Sequence, residues 1–146
     1  MPTVIESAVI TAPPQKVFEF VSDPKRAPTF VPGLNRISNL SAPTPQAGRT
    51  WEFEFNWFGL ILSGKSECKR CEPARLYQFQ TVSGARSTWT YRCEPEGSQT
   101  RLTLEVEYEP PQNLLVRFAA QSVLDKMNTN RARETVANLK ALLEPE

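Results

Sequence analysis

The chain changes its hydrophobic period at Pro110-Pro111, and that change constrains its fold more than any other feature of the text. Upstream, "TRLTLEVEY" alternates strictly, with Leu102, Leu104, Val106 and Tyr108 opposite Glu105, Glu107 and Glu109. Such alternation predicts a half-buried strand. Downstream, "QNLLVRFAAQSVLDKMNTNRARETVANLKALLE" runs 33 residues without Pro or Gly. Val116, Ala120, Val123, Met127, Val136, Leu139 and Leu143 read as the apolar stripe of one long helix. Unbroken, it would span roughly 50 Å. A small sheet needs less, so an end is expected to fray or bend.

The text before the prolines supplies the sheet. Thr3 to Thr11 is apolar and β-branched, a first strand. Pro13 and Pro14 suit a helix start, with Val17, Phe18 and Val21 on one face. Asp23-Pro24 reads as the N-cap and first position of a short second helix through "PKRAPTF", limited by Pro28. "RISNL", "RTWEFEFNW", "LILSGKSECKRC", "RLYQFQTV", "RSTWTYRC" and "TRLTLEVEY" then read as six strands. Their boundaries are rich in turn residues, among them Gly59, Gly84 and Gly97. Short turns between successive strands predict an antiparallel meander. The class is α+β, with a curved sheet gripping the long helix so that the helix buries its stripe. A length of 146 residues fits a single domain, 1–146.

Composition removes several kinds of chemistry. There is no histidine, which excludes a His-based triad, proton shuttle or metal site within the chain. Lys+Arg 17 against Asp+Glu 16 leaves a net charge of +1, no footprint for nucleic acid. No apolar run approaches a transmembrane length, and the first residues lack the pattern of a signal peptide, so a cytoplasmic location is expected. There is no Gly-rich phosphate loop and no cofactor motif. The text specifies no oligomeric state.

"RCEP" occurs twice, at Arg70–Pro73 and Arg92–Pro95, and Cys68 makes the first copy part of a C-x-x-C. Along a regular strand, residues i and i+3 point to opposite faces, so Cys68 and Cys71 are not expected to share an ion. Cys71 and Cys93 would end parallel strands two steps apart, about 9.6 Å, beyond the roughly 7 Å that a disulfide bridges. No metal and no disulfide is expected. Each copy reads as a strand end, terminated by a proline that cannot donate to the ladder. Cys93, on the face of Trp89 and Tyr91, is expected to line a pocket.

"ITAPPQKVFEFVSDPKRAPTFVPGL", the Trp strand after "AGRTW", "EPARLYQF", "EPEGSQTRLTLEVEYEP" and the terminal "NLKALLE" together resemble the START/Bet v 1-like (SRPBCC) superfamily. More narrowly, they resemble its polyketide cyclase/dehydrase-like branch, over nearly the whole chain. The resemblance implies a helix-grip fold. In it, seven antiparallel strands wrap a long C-terminal helix, two short helices follow the first strand, and an apolar cavity lies between sheet and helix. It also implies a hydrophobic small-molecule ligand, since relatives bind lipids, sterols, quinones, polyketides and plant hormones, and some catalyse cyclisation or dehydration.

The inward-facing residues read either as an ordinary core or as a cavity wall, and the resemblance favours the wall. They are Trp51, Phe53 and Phe55 on one strand, and Tyr77 and Phe79 on another. Trp89 and Tyr91 follow, then Leu104, Val106 and Tyr108. The helix would add Val116, Ala120, Val123 and Met127, with Phe30 at the entrance. Glu6 shares a face with Val4, Ala8 and Ile10; it is a desolvated acid if that face is interior, or a solvated edge group if not. Arg117 and Asp125 are expected to face solvent, and Glu52 and Glu54 to point outward. Two functions follow, a non-catalytic carrier or sensor of a hydrophobic molecule, or a cyclase/dehydratase moving protons with a cavity carboxylate or Tyr. A protein-interaction module is a third.

Overall fold

A computed structural model describes residues 3–57, 59–83, 86–109 and 121–144. Its elements are β1 (Thr3–Ile10), α1 (Pro14–Val21), a 3-10 helix (Pro24–Thr29), β2 (Leu34–Ser38), β3 (Thr50–Trp57), β4 (Leu60–Glu72), β5 (Leu76–Ser83), β6 (Arg86–Glu96), β7 (Gln99–Glu109) and α2 (Gln121–Leu143). The strands form one seven-stranded sheet in the order β1-β7-β6-β5-β4-β3-β2. Every pairing is antiparallel, a meander from β2 to β7 with β1 laid against β7. The sheet curves around α2, the helix-grip α+β arrangement. Gly84, expected in a turn, and Val116, Arg117 and Ala120, expected on the long helix, lie outside the described residues.

Local chemistry accounts for the first helices. Pro14 opens α1, whose buried face is Val17, Phe18 and Val21. Asp23 caps the next segment by accepting the Lys25 N–H at 3.1 Å. Pro28 lies inside that segment and offers no N–H, so the chain closes tight 3-10 turns instead of an α-helical ladder.

Arg49 fastens α1 to the sheet. It is 2% exposed, and its guanidinium donates to the Ser22 carbonyl at 2.6 Å and the Tyr77 hydroxyl at 3.3 Å. The Ser22 carbonyl sits at the end of α1, where the last carbonyls lack helical donors and a cation is favoured. Gly64 answers a different constraint. It faces Phe53 across the β3–β4 ladder. A β-carbon there would lie 2.1 Å from the Ser83 carbonyl oxygen, which no side chain tolerates.

Three expectations are corrected. Cys68 and Cys71 share the inner face, because β4 carries a bulge: Cys68 pairs with Phe79, Arg70 with Gln78 and Cys71 with Tyr77. The extra residue shifts the alternation by one, so i and i+3 coincide. Pro95 does not end its strand, since β6 continues to Glu96. The Cys93 N–H donates toward β5, to the Arg75 carbonyl at 2.8 Å. The nitrogen of Pro95 faces the same way, beyond the point where β5 begins, so no ladder bond is lost there. Pro73 does terminate β4.

The helical stripe is the third correction. Val123 is 46% exposed, whereas Leu124, Ala132, Val136, Leu139 and Leu143 are buried. From Met127 to Val136 is nine residues; at about 100° each this ends half a turn out of phase. Val123 and Met127 therefore lie away from the face of Val136, Leu139 and Leu143, and the latter is the face that meets the sheet.

Candidate functional site

The inner face of the sheet carries its residues in rows, because antiparallel registers bring side chains of one parity opposite one another. One row is apolar and runs Cys68, Phe79, Trp89, Val106, Val4 across five strands. Phe79 and Trp89 lie nearly parallel with centroids 5.9 Å apart, and Trp51 meets Phe79 edge-on at 5.2 Å. The adjacent row is polar. Ser66 pairs with Thr81, and Ser87 with Tyr108. The Thr81 hydroxyl accepts the Ser87 N–H at 2.7 Å, and the Ser87 hydroxyl accepts the Trp89 indole N–H at 3.1 Å.

Between these rows and α2 lies a cavity of about 150 Å³. Trp51, Phe53, Phe55, Tyr77, Phe79, Trp89, Tyr91, Val106 and Tyr108 all line it, as the alternation of their strands predicts. Phe30 lines it too, but is 1% exposed and forms wall, not an open entrance. Leu104 and Cys93 pack in the core outside the lining. Met127 faces a separate outer groove.

The polar groups that α2 contributes escape the apolar pattern. Asp125 does not face solvent: its carboxylate accepts the Tyr108 hydroxyl. Asn128 accepts the Trp57 indole N–H at 3.3 Å and donates to the Leu124 carbonyl at 2.9 Å. The Arg131 guanidinium lies 4.6 Å over the Phe55 ring and lines both the cavity and the outer groove. Helical phase was the available signal for these residues. Asn128 and Arg131 fall four and seven positions after the buried Leu124, on its face. Glu6 takes a middle course at the edge of the sheet, half-buried and 3.8 Å from Arg133 of α2. Glu52 and Glu54 lie on the outer face, where they hydrogen-bond Asn39 and Arg36 respectively. Among the described residues, no group of three His, Cys, Asp or Glu is placed to hold a metal ion.

Burial keeps the interior thiols and phenols protonated. It pushes Cys68 up to about 11, with the adjacent Cys71 adding to the effect, and Cys93 up to about 12. Burial also raises Tyr77 and Tyr91, and raises Tyr108 with help from its hydrogen bond to Asp125. Tyr108 is therefore a donor at neutral pH, not a base. These groups hold protons in the folded chain that the unfolded chain releases, from about pH 9 upward for the thiols. Their stabilising contribution is complete below that value and is lost as pH rises through 11 and 12. Urea midpoints should accordingly fall steadily above pH 9. A flat profile to the edge of the alkaline range would mean that these groups are not sequestered.

Comparison with known proteins finds the same scaffold. A family model described as polyketide cyclase / dehydrase and lipid transport matches residues 1–144. The crystal structure of TTHA0849 from Thermus thermophilus superposes with a TM-score of 0.81 at 18% identity, covering 97% of each chain. The Zhui aromatase/cyclase from Streptomyces sp. R1128 gives 0.78 at 13% identity, over 97% of this chain and 93% of that one. Ginseng major latex-like protein 151 from Panax ginseng gives 0.70 at 13%, over 99% and 98%. At these identities the likeness is one of fold. Among proteins of curated function, none matches this chain.

Proposed function

The chain belongs to the polyketide cyclase/dehydrase and lipid transport family, and from that premise we propose that it binds a hydrophobic small molecule in the cavity between sheet and α2. One observation carries the reading: an aromatic-walled space with its polar groups gathered along one row and one helix face. Binding sites for small molecules have this composition, apolar walls with few orienting polar groups. The ligands named for relatives, polyketides and lipids among them, support the class of molecule and not its identity. Among the described residues, no helix is long and apolar enough to cross a membrane.

All three tryptophans, Trp51, Trp57 and Trp89, line the cavity, so indole fluorescence reports its occupancy directly. Native mass spectrometry of the purified chain, with organic extraction of anything bound, is the matching measurement. The expected result is one equivalent of an apolar molecule whose removal and return change the indole emission. A clean apo mass, with no emission change across aromatic acids, quinones, fatty acids and polyphenols, would overturn the reading in favour of a packed core and a role in protein interaction.

The Tyr108–Asp125 contact favours a second reading, a cyclase or dehydratase. The Tyr108 hydroxyl has one proton, now given to Asp125; turned toward the cavity, that proton would serve a substrate carbonyl while the carboxylate accepts one from the substrate. Product formation, as opposed to retention of the bound molecule, separates the two.

A further inference from the structure

We propose that the cavity selects a molecule of one aromatic ring bearing a carboxylate, held by the guanidinium of Arg131. The inference rests on the binding reading above and narrows it by size and by charge.

Size comes first. The cavity holds about 150 Å³. A void of about that volume accommodates benzene, whereas sites for drug-sized ligands run from about 300 to 1,000 Å³. The aromatic side chains of β3, β5 and β6 fill the space that a multi-ring or long-chain ligand would need. Phe53, Phe55, Phe79 and Trp89 all project into the lining. What remains suits one planar ring, faced by side chains that favour stacked or edge-on aromatic contact.

Charge comes second. Among the described residues, the charged ones that line the cavity are Arg86, Glu109 and Arg131. Arg86 and Glu109 are exposed and stand opposite each other at the outer end of the β6–β7 ladder. Arg131 is different. It projects from α2 over the Phe55 ring at the divide between cavity and outer groove. Burial lowers its pKa to about 10, the cost of stripping water from a cation. A guanidinium already desolvated, with an aromatic plane beneath it, meets a planar carboxylate through two parallel hydrogen bonds. The groove on its outer side is lined by Pro32, Asn35, Asn56 and Glu134 among others; Glu134 already offsets part of the Arg131 charge, so an entering carboxylate competes with it for the guanidinium. The acid would lie at the Arg131 end, with the ring against Phe55 and the apolar row.

The test uses benzoate, its neutral isostere benzamide, anthracene-9-carboxylate and decanoate as probes, read by indole fluorescence and calorimetry. Benzoate is expected to bind about 10- to 100-fold more tightly than benzamide, the range for hydrogen bonds to a charged group. Anthracene-9-carboxylate and decanoate should bind more weakly than benzoate. Arg131→Gln should abolish the preference for the acid, and Arg131→Lys should keep part of it. The wild-type ratio tests the proposal without any variant. Equal affinity for benzoate and benzamide, or tighter binding of the three-ring or long-chain acid, overturns the proposal while leaving a ligand cavity in place. If no probe binds and nothing is extracted from the purified chain, the binding reading fails with it.

Discussion

Arg49→Ala is expected to lower the free energy of unfolding by about 3–5 kcal/mol, from two buried hydrogen bonds to a charged donor at about 1.5–3 kcal/mol each. The substitution takes away both donors that Arg49 extends, leaving the Ser22 carbonyl and the Tyr77 hydroxyl without them in the interior. It also empties the volume of a long side chain that is 2% exposed and lies 5.8 Å over the Trp51 ring. Since native chains are stable by only about 5–15 kcal/mol, the loss should appear as a fall of roughly 10 °C or more in Tm. Arg49→Lys should rescue little, because the lysine chain ends one bond short of the Nη2 that reaches both oxygens. Arg49→Met fills the volume without donors, so its cost separates packing from hydrogen bonding. If Arg49→Ala melts within about 2 °C of the parent, the buried tie between α1 and the sheet is not a significant one.

Ala132→Phe should do the opposite, abolishing binding while leaving stability intact. Ala132 is 2% exposed, sits on the sheet-facing side of α2 and lines the cavity. A benzyl group there projects into the space a ligand ring would occupy. Filling a void commonly adds stability, so Tm should hold or rise. Affinity for any cavity ligand should fall at least about 100-fold, or nearly 3 kcal/mol. Retained affinity in a folded variant would place the binding site elsewhere on the molecule. A variant that melts far below the parent would mean that the space is narrower than 150 Å³ suggests.

Both expectations depend on features that differ in how openly the text displays them. The seven strands were legible because period-2 alternation and turn residues are local signals, read within eight or ten neighbours. The wall from Trp51 to Phe55 and from Trp89 to Tyr91 follows from the same parity, and the registers carry it across the sheet. The Asp23 cap and the proline-limited 3-10 turn were equally local.

The bulge in β4 was not legible. Nothing in "ECKRCEP" announces that Lys69 is the extra residue; it is defined by which partners on β5 face Cys68 and Cys71. Pro95 escapes a local reading for a related reason. Whether a proline breaks a ladder depends on which side its nitrogen faces and whether a strand lies there. The phase of α2 lay partly in view, since a nine-residue step is out of register by arithmetic alone. A helix with Asn128 and Arg131 among its inward positions, however, blurs the stripe that a hydrophobic reading follows.

By itself, the sequence determined the order and kind of the elements, the inward parity of the strands, and the family, because short-range backbone preference and side-chain alternation act along the chain. Only the tertiary structure decided the face of α2, the shared face of Cys68 and Cys71, the burial of Arg49, and the volume left between sheet and helix. Each of those depends on the distance between residues far apart in sequence, and a distance across the fold has no local signature.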